Sequence, residues 1–86
     1  MDEPELLDEK QLLMRAQQAF QRTKASQRDV ARALDLNRSS VSRAIRNEGL
    51  KHAAVQAKIV SLLDKVVVQR RSTYEGAEVE HRWITN

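Results

Sequence analysis

The sequence predicts a mostly α domain: four helices within residues 1–65, then a C-terminal β-hairpin or strand segment over residues 66–86. Three observations carry that prediction. Apolar residues recur at helical spacing from Glu5 to Lys65. The pattern is interrupted at "TKAS", at "DLN" and near Gly49, which divides it into four segments. After Lys65 the composition changes to β-branched and aromatic residues in "VVVQRRSTYEGAEVEHRWIT".

The first segment runs from Glu5 to about Thr23. Leu6, Leu13, Ala16 and Phe20 repeat near helical spacing, and Leu12 and Ala19 widen the stripe. Pro4 suits a first helical turn, and the early acids suit the positive end of a helix. Ser26 opens the second helix as a cap, with Asp29 three residues on. Its inner face is Val30, Ala31 and Leu34. The third helix starts at Asn37 or Arg38 and runs to about Asn47, with Gly49 as its C-terminal stop. The fourth spans roughly Lys51 to Lys65, with a stripe of Ala53, Ala54, Ala57, Val60 and Leu63 supported by Ile59 and Leu62.

The tail folds back on itself if Glu75-Gly76 is its tip. Tyr74 then faces Ala77, Arg71 lies opposite Glu80, and Val68 lies opposite Trp83. Val66, Val68, Val79 and Trp83 share one face, and Arg71 and Glu80 share the other. Glu is a poor residue at positive φ, so a longer turn with a bulge at Gly76 fits as well as a tight one. A frayed tail is the alternative.

A chain of 86 residues holds one compact domain with a marginal core, to which a dimer partner would add. There is no cysteine, so disulfides, thiolate metal sites and cysteine nucleophiles are excluded. No apolar run is long enough to span a bilayer, and the acidic start does not resemble a secretion signal. A cytoplasmic protein is expected.

Charge is distributed unevenly. Residues 1–14 carry five acids against Lys10, whereas residues 15–52 carry nine bases against Asp29, Asp35 and Glu48. A net +6 over that middle section, on a chain of net +3, points to a local face for a polyanion.

That face lies in "LDLNRSSVSRAIRN", residues 34–47. Helix, three-residue break, helix is the helix-turn-helix arrangement, whose second helix enters the DNA major groove. Such a helix needs two unlike faces. Val41, Ala44 and Ile45 supply a small apolar one. On the other, Ser39, Ser40 and Ser42 are short enough to let the backbone approach base edges. Arg38 and Arg43 reach past them toward guanine O6 and N7. Arg46 is placed for phosphate. Gln27 and Arg28, at the start of the first motif helix, would clamp the DNA backbone, and Asn37 stands at the entry to the second.

At these residues the chain resembles a known family. "QRDVARALDLNRSSVSRAIRN", residues 27–47, is similar to the helix-turn-helix of lambda-repressor/Cro-type bacterial and phage regulators, and "VSRAI" also resembles the motif of the lac-repressor family. The likeness covers a Gln opening the first motif helix, Ala31 at the helix crossing, Leu36 in the turn, and Val41 and Ala44 inside the second helix. "LKHAAVQAKIVSLL" resembles the helix that follows the motif in lambda-type domains. The resemblance implies that Gln27 contacts the DNA backbone and that Arg38, Ser39 and Arg43 read bases. The chain departs where it places Asp35 in a turn that often carries glycine. The C-terminal segment departs from the all-helical repressors and is similar to the Cro branch, whose terminal strands pair two subunits.

The expected function is therefore a sequence-specific double-stranded DNA-binding regulator of phage, plasmid or bacterial type. It would be a repressor, acting as a homodimer on a palindromic operator through Val66, Val68, Val79, Trp83 and Ile84 of the tail. No enzyme activity, cofactor, metal or small-molecule effector is expected. His52 and His81 have no companion metal ligands, and His52 reads as a surface histidine rather than a phosphate contact. The serines have no His/Asp base, and Gly49 and Gly76 make no phosphate loop. The rival readings are an antitoxin whose tail binds a toxin, a recombination accessory factor, and a protein-binding adaptor in which the arginines are merely solvated.

Overall fold

A computed structural model describes residues 5–85. It contains, in chain order, β1 (Glu5–Leu7), α1 (Glu9–Thr23), α2 (Gln27–Ala33), α3 (Arg38–Ala44), α4 (Leu50–Asp64), β2 (Val68–Glu75) and β3 (Glu78–Thr85). Four helices and a C-terminal hairpin are present as the periodicity and composition predicted. The hairpin belongs to a three-stranded antiparallel sheet of order β1-β3-β2.

The first helix starts later than its apolar pattern suggested. Asp8 is its N-cap and forms a capping box: Gln11 N donates to Asp8 Oδ1 at 2.8 Å, and Asp8 N donates to Gln11 Oε1 at 2.9 Å. Residues 5–7 are instead extended, with Leu6 opposite Ile84 and Leu7 opposite Trp83. Leu6 is consequently exposed and leaves the predicted stripe, whereas Leu7 joins the core. Pro4 lies outside the described residues.

The second helix is capped by Ser26, whose Oγ accepts from Asp29 N at 3.0 Å, as expected. Gly49 does not stop the third helix. That helix closes on Ile45, and Gly49, with φ of 120°, is the N-cap of α4. An extended positive-φ conformation of this kind is where glycine is at an advantage. The stripe of α4 is rotated from the predicted one. Ala53, Gln56, Ile59 and Val60 are buried, while Ala54 is exposed and Ala57 and Leu63 are half-buried.

The hairpin register is shifted by two residues from the predicted one. The tip is Gly76-Ala77, so Glu75 pairs with Glu78, Arg71 with Arg82, Val68 with Thr85 and Arg70 with Trp83. Only the first central residue, Gly76, has positive φ, at 59°, the position at which a type II′ turn uses glycine. The predicted turn required Glu75 there, which its Cβ disfavours. A slip of two residues preserves the faces, so Val68, Val79 and Trp83 still share one side and Arg71 and Glu80 the other.

The core is continuous from helices to sheet. Leu7, Leu12, Ala16, Val30, Ala31, Val41, Ala44, Ala53, Ile59, Val60 and Trp83 form one buried cluster. Alanines at 16, 31, 44 and 53 let the helices approach closely. Trp83, 2% exposed, fills the space beneath them. Asp64 clamps the outside of this body. Its Oδ2 accepts from Arg15 Nε at 3.0 Å and Arg22 Nη2 at 2.8 Å, and Arg15 Nη1 reaches Glu5 at 2.8 Å. Burial acts to lower the Arg15 pKa, but its bonds to Asp64 and Glu5 outweigh that and raise it. The raised value keeps its stabilisation fully present below the pKa of a free arginine, hence throughout the neutral range. Among the described residues no helix is long and apolar enough to cross a membrane.

Candidate nucleic-acid interface

The turn between α2 and α3 sets the geometry of the motif. Leu36 N donates to Ala31 O at 2.8 Å and Asp35 N donates to Arg32 O at 3.2 Å. With Leu34 as C-cap, these are the six-to-one and five-to-two bonds of a Schellman motif, which needs its residue after the cap in the left-handed region. Asp35 occupies that region with φ of 56°. Glycine would be the less strained choice, but aspartate tolerates αL better than most residues. Leu36 then packs back against the core beside Ala31.

α3 is amphipathic in the predicted sense. Val41 and Ala44 are fully buried and Ile45 packs against the core. Asn37, Arg38, Ser39, Arg43 and Arg46 are exposed, and Ser40 and Ser42 are half-buried between the two sides. Asn37 is the N-cap, yet its side chain makes no capping bond and stays unengaged. Arg43 Nε donates to Ser39 O at 3.3 Å and Arg46 Nε to Ser42 O at 3.1 Å. One donor of each guanidinium is thus tied to the helix, and the terminal nitrogens are left for other acceptors. On α2, Gln27 is half-buried at the first helical position and Arg28 is exposed.

Charge pairing distinguishes this face from Arg15, Arg22 and Arg82, although among the described residues Arg32, Arg70 and Arg71 elsewhere are also without a salt bridge. Arg15, Arg22 and Arg82 each have a carboxylate within salt-bridge distance. Among the described residues, no acid lies that close to Arg28, Arg38, Arg43 or Arg46. Cations left unpaired on one side, beside hydroxyls, make a surface suited to phosphates and base edges.

Two glutamines that the sequence pattern did not single out fix the end of α3. Gln56, fully buried in α4, donates through Nε2 to Ala44 O at 2.8 Å and Asn47 O at 2.7 Å. Gln17, on α1, donates through Nε2 to Ile45 O at 2.8 Å. Carbonyls at a helix C-terminus have no partner within the helix, so these bonds satisfy them from two neighbouring helices. Gln56 Oε1 is left buried without a partner. No sequence signal distinguishes a Gln on a buried stripe from a Gln beside it. Lys51 is a further addition. With His52, Val55, Ser40 and Arg43 it lines a groove of about 220 Å³ between α3 and α4, so the basic surface extends past the motif.

The residues expected to join two subunits divide into separate environments. Trp83 is enclosed by this chain's own helices, so its ring is not available to a second subunit. Val66 and Val68 also pack against the core, and Ile84 lies on the opposite face beside Leu6 and Gln69. Val79 is 46% exposed, and Tyr74, its cross-strand neighbour, is 72% exposed. The chain matches no protein-family model, no curated protein and no solved structure.

Proposed function

We propose that this protein is a sequence-specific double-stranded DNA-binding regulator that acts as a homodimeric repressor in a bacterial cytoplasm. The observation that carries the reading is the outer side of α3 and the turn after it: Arg38, Arg43 and Arg46, exposed and, among the described residues, without acidic partners, are interleaved with serines, and the end of the helix is held by Gln17 and Gln56. Arg38 and Arg43 make bidentate contacts with guanine, the serines admit the backbone to the groove, and Arg46 and Arg28 hold phosphates. Repression follows from occupancy: two copies of α3 in successive major grooves of an imperfect palindrome block access to the promoter. The hairpin folds on this chain's own core, which leaves less reason to assign it to a toxin.

Selection from a random-sequence duplex pool, followed by footprinting on DNA flanking the protein's own gene, tests the reading. The expected product is an imperfect palindrome with half-sites about 34–36 Å apart. Failure to enrich any sequence would remove the assignment.

A further inference from the structure

We propose that the free edge of β2 is the surface on which a second copy of this chain docks, in one defined register with its two-fold axis at Thr73. The inference rests on the homodimer reading above and supplies its interface.

The sheet has two edges of unequal kind. Among the described residues β1 is three residues long, whereas β2 presents an outer edge of eight residues with no proline to blunt it. In an antiparallel pair, alternate residues point their N–H and C=O to the neighbour. The tight turn makes Glu75 and Glu78 the closing bonded pair, so the backbone groups of Ser72 and Tyr74 point outward to the free edge.

Charge selects the occupant. Within the hairpin Arg71 faces Arg82 and Glu75 faces Glu78, two like-charge pairs directly opposite one another. Such pairs destabilise a sheet. Glu80 neutralises Arg82 at 3.0 Å, but among the described residues Arg71, Glu75 and Glu78 have no opposite charge within salt-bridge distance. A second β2 brings both missing partners. A two-fold axis normal to a continuous sheet pairs residues of the same face, so only a few registers exist. Centred on Thr73, Arg71 meets Glu75 of the second copy, and Glu75 meets its Arg71. Centred on Arg71, two arginines collide. Centred on Ser72, Arg71 meets threonine; centred on Tyr74, it meets no strand residue. The Thr73 register alone resolves both conflicts, and it seats Tyr74 against Ser72 across the joint.

Truncation after Lys65 is not a usable test, because it removes Trp83 from the core. Charge exchange is. R71E, E75R and the double variant R71E/E75R are compared with the wild type by sedimentation equilibrium at low salt, without DNA. Each single variant places an opposite charge across its own hairpin, so each subunit folds, as Trp83 fluorescence will report. Between subunits, each single variant sets like charges opposite, and association is expected to weaken about tenfold. The double variant restores the complementary pairs and returns near wild-type association. A monomeric wild type, or a double variant no better than the singles, overturns the register. Titration of the same proteins with a duplex enriched from the random pool separates the two readings. Rescue of dimerisation without DNA binding would sink the function and keep the interface, and tight DNA binding by a monomer would do the reverse.

Discussion

Replacing Gln56 with methionine tests whether the position of α3 is held by a buried amide. The two side chains are close in volume and flexibility, so the change removes polarity and leaves packing nearly intact. Two bonds are lost, to Ala44 O and Asn47 O. At about 1 kcal/mol each, their net loss is near 2 kcal/mol. The accompanying desolvation terms oppose one another. Ala44 O becomes a buried acceptor without a partner, while the unpartnered Gln56 Oε1 disappears; each is worth roughly 1–3 kcal/mol, and they largely cancel. Asn47 lies on the exposed side, where water can replace the amide. The expected destabilisation is therefore about 1–2 kcal/mol, a fall in the thermal midpoint of roughly 5–15 °C for a domain of this size. A protein of ordinary stability remains folded at 25 °C after such a loss. Any change in affinity for a selected duplex then reports the orientation of α3, and a weakening of about tenfold is expected. Calorimetry and fluorescence anisotropy on the same preparation measure both quantities. An unchanged or raised midpoint would mean that removing the orphaned oxygen outweighs the two bonds, and the amide would not be a clamp.

Further outcomes follow from the same geometry. Arg38→Ala and Arg43→Ala should each weaken specific binding by about 1–3 kcal/mol and relax base preference at one position per half-site; equal losses on specific and random DNA would make them phosphate contacts. Affinity should fall steeply with salt, with a slope for roughly 6–10 phosphate contacts per dimer, and a flat dependence measured by anisotropy would count against DNA as the ligand. Asp35→Gly should relieve the left-handed turn and stabilise by about 0.5–1 kcal/mol, read as a higher denaturant midpoint; a lower midpoint would show that the turn carries no relievable strain. Trp83→Ala should cost about 3–5 kcal/mol and abolish cooperative unfolding in circular dichroism, whereas a well-folded variant would show that the sheet is dispensable to the helical body.

What the sequence made legible were features encoded within a few residues. The Ser26 cap, the break at Asp35, and the apolar and cationic sides of α3 are all local, and the structure places them as read, except that the break spans four residues, 34–37, rather than three. The faces of the hairpin also follow from alternation alone. What escaped depends on distant parts of the chain. Leu6 fits a helical stripe, but residues 83–85 offer residues 5–7 a strand to join, and the Asp8–Gln11 box starts the helix only after them. Gly49 carries the composition of a stop and serves as a start, because α3 has already ended on Ile45. Trp83 reads equally as an interface or a core residue until the helices above it are in place.

The candidate site depends on those distant contacts more than its sequence suggests. α3 has seven residues, about two turns, and a helix so short is unstable alone in water. Asn37 contributes no side-chain cap at one end. At the other, the last carbonyls are satisfied by Gln17 from α1 and Gln56 from α4. Val41 and Ala44 set its depth in the body, and the Schellman turn at Asp35 sets its angle to α2. The outer face carries none of that burden. Arg38, Ser39, Arg43 and Arg46 can therefore be exchanged to alter what is recognised while the fold persists, whereas a change at Gln56 alters how every one of them is presented.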